Sequence, residues 1–223
     1  TEGTVMAMHS IGQELLALAG TITRLTSIVA VGSEANNLGS LGINGLDFAE
    51  INDVGGTIHV LAHGSGNAAY FGIFAITGSH SRVGSASAFV GTYLSPLVTD
   101  GLTMYAQLPK GVYNFDNTPN ILIDTSQSQE KNCQQVMFKG DLYFKNGKSL
   151  VRYDGADVKS VGYDLEDGLP SDKWGDITAM CSNWKEVFAA VQGATYSHIL
   201  SFNGASWQYY ARVPSPGLWV KKM

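Results

Sequence analysis

The residue types that most often bind metals are sparse in this chain and poorly spaced for the purpose. His59 and His63 lie four residues apart in a segment rich in β-branched and apolar residues. In a helix that spacing places two ligands on one face. On a strand it spans about 13 Å, at about 3.3 Å per residue, which is too far for one ion. We therefore predict partly buried or rim histidines and no metal site.

The other candidate constellations also lack the geometry that a reaction requires. Five acidic residues crowd one short segment without the spacing of a calcium-binding EF-hand loop: Asp164, Glu166, Asp167, Asp172 and Asp176. The segment Ser201–Trp207 comes close to the Asp-box hairpin of sialidase-type propellers but is one residue short. The four arginines are scattered, whereas such an enzyme groups arginines around a substrate carboxylate. The sequence predicts no catalytic residue, no cofactor and no enzymatic activity; a glycan-acting enzyme is the least favoured interpretation.

Aromatic residues are the remaining functional candidates, and they concentrate towards the C-terminal end. Loops at one end of a repeat fold often bind partners through aromatic anchors. Most of the aromatic residues here fall within predicted strands and are expected to pack internally. Trp174 and Trp184 fall in predicted loops, and we predict that these two side chains are exposed and available for partner contact.

Composition and charge exclude several classes of partner. Charged residues make up 15% of the 223 residues, and the formal net charge is −5. Residues 1–109 carry the whole of that net charge, and residues 110–223 are neutral overall. Without a basic region we predict no nucleic-acid binding and no binding to a membrane surface. The two cysteines, Cys133 and Cys181, do not form a disulfide framework, and we expect both to be unpaired.

Short apolar segments separated by turn residues recur with a period of about 43 residues. Equivalent first-strand positions at Met6, Phe48, Val90, Met137 and Met180 are 42, 42, 47 and 43 residues apart. A four-stranded unit repeated at 40–50 residues is typical of a β-propeller blade. We therefore predict an all-β propeller of about five blades followed by a tail, with these boundaries: 1–44, 45–85, 86–132, 133–175, 176–213 and 214–223. A β-sandwich is the alternative fold.

The secondary structure predicted for the first and third units includes one alternative and one pair of strand boundaries that a structure can test. The segment Gln13–Ala19 could form a short helix after Ser10 instead of a strand. The third unit is predicted to begin with a strand over Ala88–Leu94 and to continue with a second over Leu102–Gln107.

The hairpins of the last two units carry strong turn signals. Asp154-Gly155 and Asn203-Gly204 each separate two β-rich segments. This dipeptide favours a type I′ turn, in which both central residues have positive φ. We predict that these four residues form the turns between the third and fourth strands of their units.

Here the residues resemble a known family. The turn Asp167–Ser171, which contains Gly168 and Pro170, precedes the strand Asp176–Met180, and the Arg152–Gly155 hairpin lies one unit earlier. This pattern resembles the repeats of two-component-regulator-type propellers over roughly residues 142–212. The resemblance implies structural turns at Gly168 and Pro170.

Low-charge, Gly-rich repeats with hairpins such as F-N-G-A-S-W are also similar to those of tail proteins of tailed bacteriophages. That similarity implies a non-enzymatic structural or binding role in a virion. A ligand-sensing propeller of an extracytoplasmic receptor, extracellular or periplasmic, is the alternative.

The repeat pattern also bears on assembly. The first unit begins with its first strand and the last unit ends with its fourth, so no strand is left over to complete a shared blade. Stacked blades that do not close would expose apolar faces, which soluble proteins rarely leave uncovered. We expect further blades of a longer chain, or other protein subunits including copies of this one, to cover them.

Overall fold

The computed structural model describes fourteen segments of the chain: residues 5–11, 14–19, 22–29, 36–44, 46–64, 68–74, 80–87, 97–108, 111–115, 119–124, 134–146, 149–161, 175–192 and 196–213. Within them every regular element is a β-strand, and twenty strands form five four-stranded sheets. Strands that follow one another in sequence are neighbours in each sheet, and the registers are antiparallel. The predicted all-β fold with four-stranded repeats is confirmed.

The strands are numbered in chain order. Sheet 1 contains β1 (Val5–Ile11), β2 (Glu14–Ala19), β3 (Ile22–Val29) and β4 (Asn36–Asn44). Sheet 2 contains β5 (Leu46–Val54), β6 (Thr57–Gly64), β7 (Ala68–Phe74) and β8 (His80–Ser87). Sheet 3 contains β9 (Val98–Thr99), β10 (Met104–Leu108), β11 (Gly111–Phe115) and β12 (Pro119–Asp124). Sheet 4 contains β13 (Gln135–Phe138), β14 (Asp141–Asn146), β15 (Ser149–Tyr153) and β16 (Val158–Ser160). Sheet 5 contains β17 (Asp176–Ser182), β18 (Val187–Gln192), β19 (Ser197–Phe202) and β20 (Trp207–Val213).

Two local predictions need comment. The helix considered near Gln13–Ala19 is wrong, because β2 pairs on one side with β1 and on the other with β3. The first strand predicted at Ala88–Leu94 lies outside the described residues. In the structure the strand that pairs with β10 is β9, since Met104 and Tyr105 oppose Thr99 and Val98.

The chain divides into two compact units, and residues of sheet 3 contribute to both. In unit 1 the first strands of successive sheets lie side by side, β1 against β5 and β5 against β9. His9 Nε2 lies 2.8 Å from Asp53 Oδ1, and Asn52 Nδ2 donates to the Leu97 carbonyl at 3.0 Å. Polar side chains of the first strands therefore join one sheet to the next in this unit.

Unit 2 repeats this arrangement, with β13 beside β17. One hydrophobic cluster fills the space between sheets 4 and 5; its members are Val136, Phe138, Tyr143, Leu150, Ile177, Met180, Val187, Ala189, Val191, Leu200, Phe202 and Trp207. Alternate residues of β18 enter this cluster, which is the pattern of a strand that turns one face to the neighbouring sheet. The two sheets therefore pack face to face through side chains contributed by both.

Three first strands carry a β-bulge near their beginning. The register of β1, β5 and β17 against its partner shifts by one residue at Met6, Asp47 and Thr178 respectively. A bulge increases the local right-handed twist and bends the strand. Recurrence of the bulge at corresponding positions shows that these three repeats share more than their strand count.

The hairpin turns that lie within the described residues fall into two classes. Gly55-Gly56 and Lys139-Gly140 are two-residue turns in which both residues have positive φ, the type I′ arrangement. The other class is a four-residue loop held by its first side chain. In that class Asn203 Oδ1 accepts from the N–H groups of Ala205 and Ser206 at 2.8 and 3.0 Å.

Three further loops have the same hydrogen bonds, and they begin at Asp100, Asp154 and Asn183. The structure therefore places Asp154-Gly155 and Asn203-Gly204 between the third and fourth strands, but not as type I′ turns. Only the glycine of each pair has positive φ. Each loop is closed by the Asp or Asn side chain together with a backbone hydrogen bond, from the Asp154 N–H to the Asp157 carbonyl or from the Asn203 N–H to the Ser206 carbonyl, at 3.3 Å in both.

Replacement of Gly204 by Val tests the backbone requirement of this loop. Gly204 has a φ of +103°, and an added Cβ would meet nothing nearer than 3.7 Å. The cost is therefore strain in the backbone rather than a clash, and we expect a loss of about 1–3 kcal/mol in the free energy of unfolding. Urea unfolding measures it. Ala205→Val, at the next loop position, is the matched control and should change the midpoint little.

Replacement of Asp154 by Asn tests the role of charge in the same loop type. Hydrogen bonds from the N–H groups of Asp157 and Ala156 lower the pKa of the Asp154 carboxyl below its ordinary value. A carboxyl whose pKa is lower in the folded state stabilises the protein above its unfolded pKa. That stabilisation is lost as the pH falls through the folded pKa.

We therefore expect the urea midpoint of the wild type to fall more steeply below about pH 4 than that of Asp154→Asn. Asn occupies the equivalent position at 203, so the variant should keep the loop. Parallel pH profiles for the two proteins would contradict the prediction.

Candidate interaction surface

Two buried glutamines connect three sheets within unit 2. Gln107 of β10 donates from Nε2 to the Lys145 carbonyl of β14, and its Oε1 accepts from the Gln134 N–H at 2.9 Å. Gln134 Oε1 then accepts from the N–H of Met180 in β17 at 3.2 Å. Both glutamine side chains are buried. Each of these hydrogen bonds therefore satisfies a backbone group that has no access to water. The chain of amides fixes sheet 5 relative to sheet 4.

An ion pair reinforces the same junction. The Lys145 side chain is only 2% exposed, and its Nζ lies 2.6 Å from Asp176 Oδ1. A buried ammonium requires such a partner, because an unpaired charge in the interior is strongly destabilising. Asp176 is the first residue of β17 and was predicted as part of an acidic cluster. In the structure it has a packing role, and the other four members of that cluster lie outside the described residues.

Contacts at the opposite end of the two sheets hold the last hairpin in place. Trp207 Nε1 donates to the Val161 carbonyl at 2.6 Å, and Ser182 Oγ donates to the Met137 carbonyl at 2.8 Å. Lys139 Nζ donates to the Asn203 carbonyl at 3.1 Å. Sheet 5 is therefore anchored to sheet 4 along its length, and it forms a rigid support for the side chains on its surface.

Trp184 lies at the tip of the loop between β17 and β18 and is 79% exposed. Asn183 Oδ1 accepts from the N–H groups of Lys185 and Glu186 at 2.7 and 2.9 Å, which closes the loop. Lys185 Nζ lies 4.5 Å from the centroid of the indole ring, a cation–π contact that limits the motion of the ring. Glu186 Oε1 accepts from Ser201 Oγ at 3.0 Å. A large aromatic side chain is thus displayed on a loop fixed at both ends.

A second aromatic group extends over one face of the same sheet. The rings of Phe188 in β18 and Tyr210 in β20 meet edge to face with centroids 5.2 Å apart. Ser201 lies between their strands and is small enough to let the rings meet. Tyr210 is 65% exposed. Exposed aromatic residues on a rigid element are enriched where proteins bind one another.

Cys181 lies on β17, opposite Phe188 of β18, with a free thiol. Partial burial raises the pKa of this thiol above its ordinary value. The thiolate is the reactive form, so the environment of Cys181 does not favour nucleophilic chemistry. Cys133 lies outside the described residues, and the expectation that it is unpaired stays a prediction.

Of the remaining predicted residues, the structure describes His59, His63 and Trp184. Trp174, Gly168 and Pro170 lie outside the described residues, and their roles stay predictions. His59 and His63 lie on strand β6, where His59 is buried and its Nδ1 lies 3.0 Å from the Thr57 carbonyl. Trp184 is exposed on a loop, as its sequence position indicated, and its role as a binding residue stays a prediction.

Sequence reasoning missed Gln107, Gln134 and Lys185. Only Lys185 carried a signal, because it follows a loop tryptophan, whereas the role of the two glutamines depends on which sheets become neighbours. Tyr210 is one of the aromatic residues predicted within strands and expected to pack internally, and in the structure it is 65% exposed.

Within the described residues, no group of three or more His, Cys, Asp or Glu side chains is arranged to hold a metal ion. Those residues also include no helix with the length and apolar character to cross a membrane.

Solved structures identify the fold. No protein-family profile matches the sequence, and no curated protein sequence matches it. The chain resembles a GH74 enzyme from Niastella koreensis (TM-score 0.60, 10% identity), with 93% of this chain and 37% of that one covered. It also resembles a protein from Lactobacillus plantarum (TM-score 0.60, 9% identity; 94% and 70% covered). A third is a putative 6-phosphogluconolactonase from Bacteroides uniformis (TM-score 0.58, 10% identity; 94% and 71% covered).

At these identities the likeness concerns the fold alone. It supports a propeller-like all-β architecture for this chain, which is the coarser part of the resemblance inferred from the sequence.

Replacement of Gln134 by Leu tests the amide connection between the sheets. The buried N–H of Met180 would lose its acceptor, and we expect a loss of about 1–3 kcal/mol in the free energy of unfolding. Hydrogen exchange at Met180 should become faster, which separates this effect from general destabilisation. Asn146→Leu, at the exposed end of β14, is the control. Unchanged exchange at Met180 in Gln134→Leu would show that the bond does not protect that amide.

Proposed function

We propose that this protein is a non-enzymatic structural and binding module of a multi-subunit assembly, and that it binds a protein partner through the Trp184 loop. A bacteriophage tail or a similar virion assembly is the setting that the sequence resemblance favours. The observation that carries the proposal is the exposure of Trp184 on a loop held by the Asn183 side chain and by the Lys185 contact.

Rigidity of the loop supports a binding role. Association costs free energy when side chains and loops must become ordered, and a loop that is already fixed avoids much of that cost. Tryptophan is also the residue most enriched among those that dominate binding energy at protein interfaces. An indole that is 79% exposed leaves most of its apolar surface for a partner to cover.

The surroundings of Trp184 suit a protein partner. Lys185 and Glu186 place one charge of each sign beside the indole, and Asn183 lies at the start of the loop. An aromatic centre with a polar, mixed-charge rim is the usual composition of a non-obligate protein interface. The low charge of the whole chain, 15%, is consistent with a surface of which part is covered in an assembly.

Particle incorporation tests this function directly. Particles are purified from cells that produce this protein together with the products of neighbouring genes, and the copy number of this chain per particle is measured by quantitative immunoblotting. We expect the wild-type chain in the particle. Loss of an anchor residue costs about 2 kcal/mol or more, roughly a thirtyfold loss of affinity, so Trp184→Ala should be strongly depleted.

Val158→Ala is the matched control, because Val158 is an exposed apolar residue of sheet 4 and is no part of the proposed surface. Equal incorporation of Trp184→Ala and wild type would refute the role of Trp184. Absence of the wild-type chain from every purified particle would refute the assembly function. A small molecule that raised the melting temperature of the isolated protein would instead favour the sensing alternative.

A further inference from the structure

β20 is a long strand with an open edge. Six of its seven residues pair with β19 on one side, and among the described residues no strand pairs with its other side. An open edge presents unpaired N–H and C=O groups that can continue a sheet into another chain. Proteins usually block such edges with short strands, prolines, charges or β-bulges, and glycines weaken the edge strand.

The last strand of each of the other four sheets is short or contains proline or glycine, whereas the only blocking features of β20 are one charge, Arg212, and one bulge, at Tyr210. β16 has only three residues, including Lys159, and β12 begins with Pro119. β8 contains Gly84 as well as Arg82, and β4 contains two glycines. β20 has no proline or glycine, a single charge and three aromatic residues, W-Q-Y-Y-A-R-V. None of the other four last strands contains Phe, Tyr or Trp.

We propose that β20 pairs edge to edge with β20 of a second copy of this chain, antiparallel across a twofold axis. A twofold contact brings the same surface of both copies together, so the strand must be complementary to itself. The register that overlaps the whole strand is centred on Tyr210. It places Trp207 opposite Val213, Gln208 opposite Arg212 and Tyr209 opposite Ala211.

Side-chain chemistry favours this register. Tyr210 is the most exposed aromatic residue of the strand, and it would meet Tyr210 of the second copy. Each Tyr210 already contacts Phe188 of its own sheet, so one aromatic row would run across both copies. Aromatic cross-strand pairs stabilise antiparallel strands.

The single charge of β20 is compatible with this register. Arg212, the single charge of β20, would face the neutral Gln208 of the second copy. A register centred on Arg212 would instead place two like charges opposite each other, which is destabilising. The strand therefore disfavours that shifted pairing and tolerates the one centred on Tyr210.

Tyr210, the residue at the centre of the proposed pairing, is a β-bulge in the existing sheet. The β19–β20 register passes from Leu200–Tyr209 to Ile199–Ala211 and leaves Tyr210 without an opposite residue on β19. An extra residue of this kind is not held in the existing ladder. If the chain dimerises through β20, Tyr210 contributes to the new pairing; if the chain stays monomeric, the bulge protects the edge by twisting it.

This interface is separate from the proposed partner surface, because Trp184 lies on the loop between β17 and β18 and not on β20. The two proposals can therefore fail independently.

Sedimentation equilibrium of the full chain over a wide concentration range tests the proposal. We expect a monomer–dimer equilibrium, with slower hydrogen exchange at residues 209–211 at high concentration than at low. Tyr210→Lys puts two positive charges at the centre of the pairing, and the dimer dissociation constant should rise at least about tenfold. Val158→Lys, on the edge strand of sheet 4, is the matched control and should leave that constant unchanged.

Two substitutions at Gln208 test the register without removing an aromatic residue. Gln208→Glu introduces two Glu–Arg pairs per dimer and should lower the dissociation constant severalfold. Gln208→Arg introduces two like-charge pairs and should raise it. Position 208 is exposed, so both variants should fold.

A monomer at every concentration would overturn the proposal and assign the bulge an edge-protecting role. A dimer whose constant is insensitive to Tyr210→Lys would place the interface elsewhere on the chain. Shifts in the same direction for both Gln208 variants would exclude the antiparallel register.

Discussion

The packing of sheets 4 and 5 depends on the two buried glutamines that satisfy backbone groups of neighbouring sheets. A sheet that packs on another sheet cannot pair its backbone with it, so the N–H groups on the unpaired side of a first strand must find other acceptors. Gln134 supplies the acceptor for Met180, and Gln107 positions Gln134. Apolar side chains alone would let the sheets slide, because hydrophobic contact is not directional. The amide groups provide the direction, and the apolar cluster provides most of the stabilisation.

The contacts between sheets 4 and 5 fix the positions of the side chains on the surface of sheet 5. The hydrogen bonds of Trp207 and Ser182 to sheet 4 fix the far end of the sheet, and the glutamines fix the near end. Side chains between these points have little freedom to rearrange. Trp184 and Tyr210 are therefore held in place before any partner arrives, and both proposals rest on this property.

Much of the fold could be predicted from the sequence because hairpins leave local signals. Gly, Asn and Asp at regular intervals marked the ends of strands, and apolar residues on both sides of a strand indicated sheets covered on two faces. The prediction failed where an apolar residue occupied a loop. The residue pattern predicts a strand that begins at Leu102, yet Leu102 lies exposed in the loop that follows Asp100, and the strand begins at Met104. Burial of the side chain, and not its apolar character, distinguishes the strand residue Met104 from the loop residue Leu102.

The site was less predictable, for a physical reason. Exposure of Trp184 followed from its position in a loop, but the glutamine connection requires knowledge of which sheets are neighbours. The type of hairpin turn could also not be predicted from the sequence pattern. Asn203-Gly204 resembles a type I′ dipeptide, yet the structure forms a longer loop in which Asn203 Oδ1 accepts from the N–H groups of Ala205 and Ser206.

The four-residue loops closed by an Asp or Asn side chain have a consequence for how this protein can diversify. The first residue accepts the hydrogen bonds that define the loop, a glycine with positive φ follows it in three of the four loops, and the third residue takes part through its backbone N–H. That third position holds leucine, alanine or lysine in different repeats, and Trp184 stands second in the loop that lacks the glycine. Mutation could therefore exchange the displayed residue while the sheet beneath stays intact. Such loops are natural sites for evolving, or engineering, new recognition on an unchanged framework.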